Sequence, residues 1–177
     1  MDQADFSRVV DALGFAAHKH RDQRRKDQEA SPYINHPIAL MRVLSLEGDV
    51  RDPLVLCAAL LHDTVEDTET TPEELAERFG PEIRDLVMEV TDDKRLPKEE
   101  RKRLQIQRAG GASERARLVK LADKICNLRD MADSPPHSWD LRRRREYFDW
   151  AAEVISRLRG THPELEALFD RAYARRP

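Results

Sequence analysis

Four side chains suited to metal binding and proton transfer stand at the end of a long apolar run. His62 and Asp63 close the run Leu54–Leu61, and Glu66 and Asp67 follow almost at once. Eight consecutive apolar residues predict a buried element, most simply a helix. Ionised carboxylates are costly to bury unless they are paired, hydrogen-bonded or bound to metal. At the helical angle of about 100° per residue, the four side chains fall within an arc of roughly 140°. One face then presents an imidazole nitrogen, a carboxylate and two further carboxylates, which are the parts of a hydrolytic metal site. The competing reading is a helix end fraying into a solvated acidic turn.

A second polar stripe lies on a second apolar helix. From Ser113 onward, Leu118, Val119, Leu121, Ala122, Ile125, Cys126 and Leu128 predict a largely buried helix, yet Lys120, Asp123, Asn127 and Asp130 share one stripe. Their spacing confines them to about 80° of the circumference. Such a stripe must face another polar surface, and the His62–Asp63 face is the natural partner. Asp123 can then complete a mixed His/Asp metal site. An ion pair of Asp123 with Lys120 or Lys124 is the simpler structural alternative.

His36 precedes Pro37, which predicts that it is held out of helix at the entry to an apolar segment. His18, His20, His137 and His162 read as surface or satisfied histidines. Basic groups gather at Arg24–Lys26, Lys94–Arg103 and Arg142–Arg145. Solvated faces are the default for such clusters, and a phosphorylated ligand held by charge-assisted hydrogen bonds is the alternative. Tyr147 can lie beside a base or in the core.

The elements that must position these groups all read as helix. Phe6, Val9, Val10, Leu13 and Ala17 mark a first helix over 5–21, and Ile38, Leu40, Met41, Val43 and Leu44 mark a second, opened by Pro37 and ended by Gly48. Pro53 starts the helix carrying His62. Thr71–Pro72 starts another, and Gly80–Pro81 separates it from 82–91. Further helices are expected over 98–108, 113–131, 139–158 and 163–174. No strand-like alternation or internal repeat is present, so the fold class is all-α: a single bundle of roughly eight or nine helices.

The chain has 177 residues, enough for one domain with a substantial core. Charged residues make up 37% but nearly cancel at a net charge of −3, which opposes both wholesale disorder and general nucleic-acid binding. The two isolated cysteines, Cys57 and Cys126, predict no disulfide framework and a reducing compartment. Met1–Asp5 does not resemble a signal peptide, and no apolar run approaches the roughly 18 residues of a membrane span. A soluble, cytoplasmic protein with no membrane partner is expected.

With these residues assembled, the sequence resembles a known family. His36, His62–Asp63 and Asp123 follow the H…HD…D pattern of the HD-domain metal-dependent phosphohydrolases. The strings Arg25–Lys26, Pro32–Pro37, Ala58–Thr68, Val90–Lys94 and Val119–Asp130 are similar to the hydrolase domain of RelA/SpoT proteins, over roughly Phe6 to Leu158. The chain is too short for the synthetase and regulatory domains of the long members, and is most similar to stand-alone small alarmone hydrolases of the metazoan SpoT homologue type.

The resemblance implies an all-helical fold and Mn²⁺-dependent removal of pyrophosphate from the 3′ position of guanosine 3′,5′-bis(diphosphate) or the pentaphosphate. It implies His36, His62, Asp63 and Asp123 as metal ligands, Glu66 and Asp67 in water activation and acid/base work, and Asn127 near the 3′ group. Arg25 and Lys26 match residues at the nucleotide, with Lys98, Arg143 and Tyr147 matching the phosphate and base pocket. Cys126 and the insert from Asp27 to Ser31 depart from the common pattern. Imidazole and carboxylate ligands suit Mn²⁺, with Zn²⁺, Fe²⁺ and Co²⁺ also compatible. The same site would serve an NADPH 2′-phosphatase or another nucleotide 2′/3′-phosphohydrolase. A binding or regulatory protein with a spent site is the reading from a different class.

Overall fold

The computed structural model describes residues 1–177. Ten α-helical segments run along the chain without a β-sheet. They are α1 (Gln3–Lys19), α2 (Asn35–Arg42), α3 (Pro53–Leu61), α4 (Thr64–Asp67), α5 (Pro72–Phe79), α6 (Pro81–Val90), α7 (Lys98–Ala109), α8 (Glu114–Asp133), α9 (Leu141–Ser156) and α10 (Pro163–Tyr173). A π-helical turn, Val43–Glu47, follows α2 directly. Because α4 is a single turn, the longer helices number nine, as the sequence predicts.

The most hydrophobic segment takes the centre. Seven of the nine residues of α3 are buried, and α1, α2, α6 and α8 pack around it. A helix that is apolar all round must be enclosed on all sides, and these four neighbours supply the enclosure. Side-chain caps set where helices begin: Asp52 accepts from the Leu54 N–H, Thr71 from Glu74, Ser113 from Ala116 and Asp140 from Arg143. Between α5 and α6 the chain turns at Gly80, whose φ of +92° suits a residue without a Cβ.

The expected core face of α1 is corrected. Phe6 and Val10 are exposed, whereas Val9, Ala12, Phe15 and Ala16 are buried. The chain offers two overlapping apolar stripes here, and the one containing two alanines permits the closer approach to α3. The start of α2 is also earlier than expected. His36 lies in its first turn, so Pro37 does not hold it out of helix. Pro37 is tolerated there because first-turn N–H groups lack intrahelical partners.

α7 is the least embedded helix. Only Ala109 is buried, and its main neighbour is α9. It nevertheless sets Lys98, Arg101 and Lys102 along one side of the site described next.

Candidate metal centre

The helix that carries the first motif breaks at the motif. α3 ends at Leu61, His62 caps it, and α4 begins at Thr64. The arc expected from one continuous helix is therefore not the geometry that forms. Both His62 and Asp63 keep right-handed helical dihedrals, so the break redirects the chain without reversing it. His62 is buried, and Asp63, Glu66 and Asp67 are partly buried.

His36 from α2, His62 from the α3 end and Asp123 from α8 converge, with ligand atoms all within 4.8 Å of one another. Asp63 flanks this trio, its Oδ2 lying 3.0 Å from His62 Nε2. His62 donates from Nδ1 to the Ala59 carbonyl at 2.9 Å, which turns Nε2 toward the cluster. Nε2 is buried and faces Asp63 Oδ2 without an aligned hydrogen bond. His36 Nε2 lies 3.3 Å from Asp123 Oδ1, and its Nδ1 is likewise buried without a partner. Two buried imidazoles that turn Nε2 toward carboxylates, His62 toward Asp63 and His36 toward Asp123, form a donor set that fits a divalent cation.

The electrostatics fit the same conclusion. Burial opposes the charged form of Asp123, but Lys124, His36 and His62 outweigh it and hold the carboxyl well below its ordinary range. Asp63 is also lowered against burial, chiefly by His62. Burial disfavours the His62 imidazolium, yet Asp63 and Asp123 push its pKa up to about 9. A cation at Nε2 would take the place of that proton.

Asp123 is held from both sides. Lys124 Nζ meets Oδ2 at 2.8 Å, and Asn127 donates to Oδ1 at 2.5 Å. The ion pair anticipated as an alternative to a metal site thus exists within the same cluster. Lys124 is buried, with Trp150 4.6 Å from its ammonium.

Glu66 and Asp67 point into different surroundings. Glu66 accepts the Asp92 N–H at 3.1 Å and lies 3.6 Å from Arg101 and 3.9 Å from Lys94. Burial raises its pKa, opposed by the Asp92 N–H. Asp67 pairs with Lys94, and its backbone carbonyl accepts from Gln23 at 2.5 Å. Tyr33 donates to Asp63 at 2.5 Å and lies 3.4 Å from the Asp67 carboxylate. Burial and Asp63 raise the Tyr33 pKa, keeping the phenol a donor.

A cavity of about 710 Å³ opens beside the cluster, and His36, Asp67 and Asn127 are among its lining residues. Arg25, Lys26, Lys94, Trp139 and Tyr147 also line it. Arg25 is engaged with Asp130 at 2.5 Å, and its guanidinium lies over the Tyr33 ring. Lys98 and Arg143 instead line an adjoining cavity of about 480 Å³, which shares Trp139 and Tyr147 with the first. Burial and the nearby Arg143 and Lys102 lower the Lys98 pKa, the mark of crowded positive charge. Trp139 carries both Arg143, at 4.3 Å, and Lys98, at 5.5 Å, over its ring. Tyr147 packs between Trp139 and Trp150, and burial pushes its phenol up to about 12.

Trp139 was not among the candidates from sequence, Lys94 and Arg101 entered only as members of a basic cluster, and Lys124 only as an ion-pair partner of Asp123. Their charged or aromatic side chains are common on helix faces, and only the fold brings them here. For His20 the satisfied alternative holds rather than the surface one. It is buried rather than on the surface, stacked 4.8 Å from Tyr33 with Nδ1 bonded to Gln23. His18 and His137 are exposed, and His162 caps α10 by accepting from Leu165. Cys57 and Cys126 are buried free thiols.

The model of the HD domain family matches residues 12–150. A Xenopus tropicalis guanosine-3′,5′-bis(diphosphate) 3′-pyrophosphohydrolase, MESH1, is 54% identical over 96% of this chain and 95% of its own length. The human MESH1 is 52% identical over 98% of this chain and 97% of its own. A solved structure of a metazoan orthologue of SpoT that hydrolyses ppGpp superposes with a TM-score of 0.93. It is 50% identical and covers 96% of this chain and 95% of the other. By the extent of these matches and the placement of His36, His62–Asp63 and Asp123 at one centre, the chain belongs to the HD domain family, in the group of the metazoan MESH1 proteins.

Proposed function

We propose that the protein is a Mn²⁺-dependent guanosine-3′,5′-bis(diphosphate) 3′-pyrophosphohydrolase. The observation that carries the reading is the junction of a buried His/Asp trio with a cavity lined by basic and aromatic side chains. Near-full-length relatives of the same name support the choice of substrate. His36, His62, Asp63 and Asp123 would hold the cation, which supplies a Lewis acid for the phosphoryl group and for water.

The chain's own groups supply the remaining functions. Glu66, whose carboxyl is raised by burial, suits the acceptance of a proton from the attacking water. Asp67, held by Lys94 and facing the cavity, suits orienting that water or returning a proton to the departing 3′ oxygen. Asn127 bridges Asp123 and the cavity, where its amide can meet the 3′ group. Arg25 and Lys26 line the wall for the nucleotide. Lys98 and Arg143, flanking Trp139, suit the second diphosphate, and Tyr147 suits the base side. The ligand is thus a small phosphorylated nucleotide, without a role for nucleic acid or membrane. Two buried free thiols suit a reducing cytoplasm.

Metal analysis together with turnover on a panel of phosphorylated nucleotides tests the reading. Pyrophosphate release from the alarmone, dependent on added Mn²⁺, is expected. Cleavage of NADPH with no action on the alarmone would keep the metal site and overturn the named substrate.

A further inference from the structure

Behind the metal centre lies a small polar unit that the proposed chemistry leaves without a task. His20 is buried at the end of α1, with Nδ1 2.7 Å from the Gln23 side-chain oxygen. The Gln23 amide donates in turn to the Asp67 carbonyl at 2.5 Å. The Tyr33 N–H donates to the Gln23 carbonyl at 3.1 Å, and the His36 N–H to the Tyr33 carbonyl at 3.0 Å. The Tyr33 ring lies 4.8 Å from the His20 ring and has the Arg25 guanidinium 5.7 Å from its centroid. Its hydroxyl is thereby directed at Asp63 Oδ2, at 2.5 Å, with Asp67 3.4 Å away.

These contacts give Tyr33 a definite geometry. A phenol bonded to a carboxylate at this distance makes a charge-assisted hydrogen bond. The His62 contact falls on the same oxygen, Oδ2. Tyr33 and His62 thus meet the Asp63 carboxylate at the one oxygen, and together they fix how it is turned beside the centre. Asp63 stands beside the tight trio of His36, His62 and Asp123 rather than within it, so its orientation decides whether it joins them.

We propose that Tyr33 is a positioning residue for the metal centre. It sets the Asp63 carboxylate for the ion, while His20 and Gln23 brace Tyr33 and the Asp67 backbone from behind. The proposal rests on the metal-site reading above but is independent of which nucleotide is cleaved. Outer groups that orient metal ligands typically change affinity by about 10- to 100-fold when removed.

The test is Tyr33→Phe, which deletes one oxygen and keeps the ring between His20 and Arg25. Mn²⁺ binding to the metal-stripped full-length protein is measured by calorimetry, at a temperature where circular dichroism shows wild type and variant equally folded. A Kd raised about 10- to 100-fold is expected. At saturating Mn²⁺, kcat should fall more than KM rises. Tyr173→Phe, which deletes a phenol bonded to Asp149 away from the site, should retain the wild-type Kd. Wild-type Mn²⁺ affinity in Tyr33→Phe would overturn the proposal and leave the assignment of the substrate intact. A wild-type protein that binds no divalent ion would overturn both readings.

Discussion

Glu66 and Asp67 are adjacent in sequence but differ in environment. Glu66 is turned toward Asp92 and Arg101, and Asp67 toward Lys94, Tyr33 and the cavity. Divergent environments allow two carboxylates to take different protonic tasks. Glu66→Gln and Asp67→Asn should each lower kcat by about 10²-fold or more, with a smaller change in KM. Near-normal kcat in the double variant would reassign proton transfer. Glu66 also carries a stability consequence. Its folded pKa is raised by burial, so its contribution is fully present below the unfolded value near 4.5 and lost as pH rises through the folded one. Metal-free Glu66→Gln should therefore melt at or above the wild-type temperature at neutral pH, despite its loss of turnover. Asp63→Ala, by contrast, should abolish tight Mn²⁺ binding, which titration calorimetry reads directly.

At the scale of elements, basic groups reach the cavities from three separate segments. Lys26 comes from the loop after α1, Lys98 from α7 and Arg143 from α9. Lys26→Ala combined with Arg143→Ala should raise KM for the alarmone more than it lowers kcat, because ground-state contacts are removed. The rise of KM with salt should also become shallower, since fewer screened contacts remain. A collapsed kcat with unchanged KM would put these residues at the transition state instead. Elsewhere, Arg129 on α8 grips Glu47 in the π-helical turn through two hydrogen bonds of 2.7 and 2.9 Å. That bonding, opposed by burial, lowers the Glu47 pKa. Its stabilisation is therefore present above the unfolded pKa, near 4.5, and lost as pH falls through the folded value. Both partners are about one-third exposed, so solvent screening limits the contribution to about 0.5 kcal/mol. Urea unfolding of Glu47→Gln should show that loss at pH 7 and a smaller difference from wild type near pH 3.

For the whole molecule, the candidate ligands join α2, the α3–α4 junction and α8 at one point. A cation there links segments far apart in sequence and favours the folded state. Free Mn²⁺ at about 100 times its Kd stabilises by about 2.7 kcal/mol. For a domain of this size that corresponds to a rise in Tm of roughly 5–10 °C. Chelation should lower Tm by that amount and abolish hydrolysis, and Mn²⁺ should restore both. Full activity in a metal-free sample would sink the metal assignment.

Local patterns carried much of this architecture. The apolar run at 54–61, the caps Thr71 and Ser113, and the break at Gly80–Pro81 declare helices and their limits because those effects act within a few residues. His62 and Asp123 were likewise legible, since polar groups bordering apolar helices require a partner, whereas His36 entered the ligand set only through the family resemblance. Tertiary packing decided what local spacing could not. It chose between the two apolar stripes of α1, broke the helix at His62–Asp63, and buried His20 behind Tyr33. It also brought Lys94 to Asp67, Arg101 to Glu66, and Lys98 and Arg143 to the Trp139 ring. Each of these contacts joins residues whose helical or loop preferences are indifferent to it. Their environments are set by which helices enclose α3, and that enclosure is a property of the packed chain as a whole.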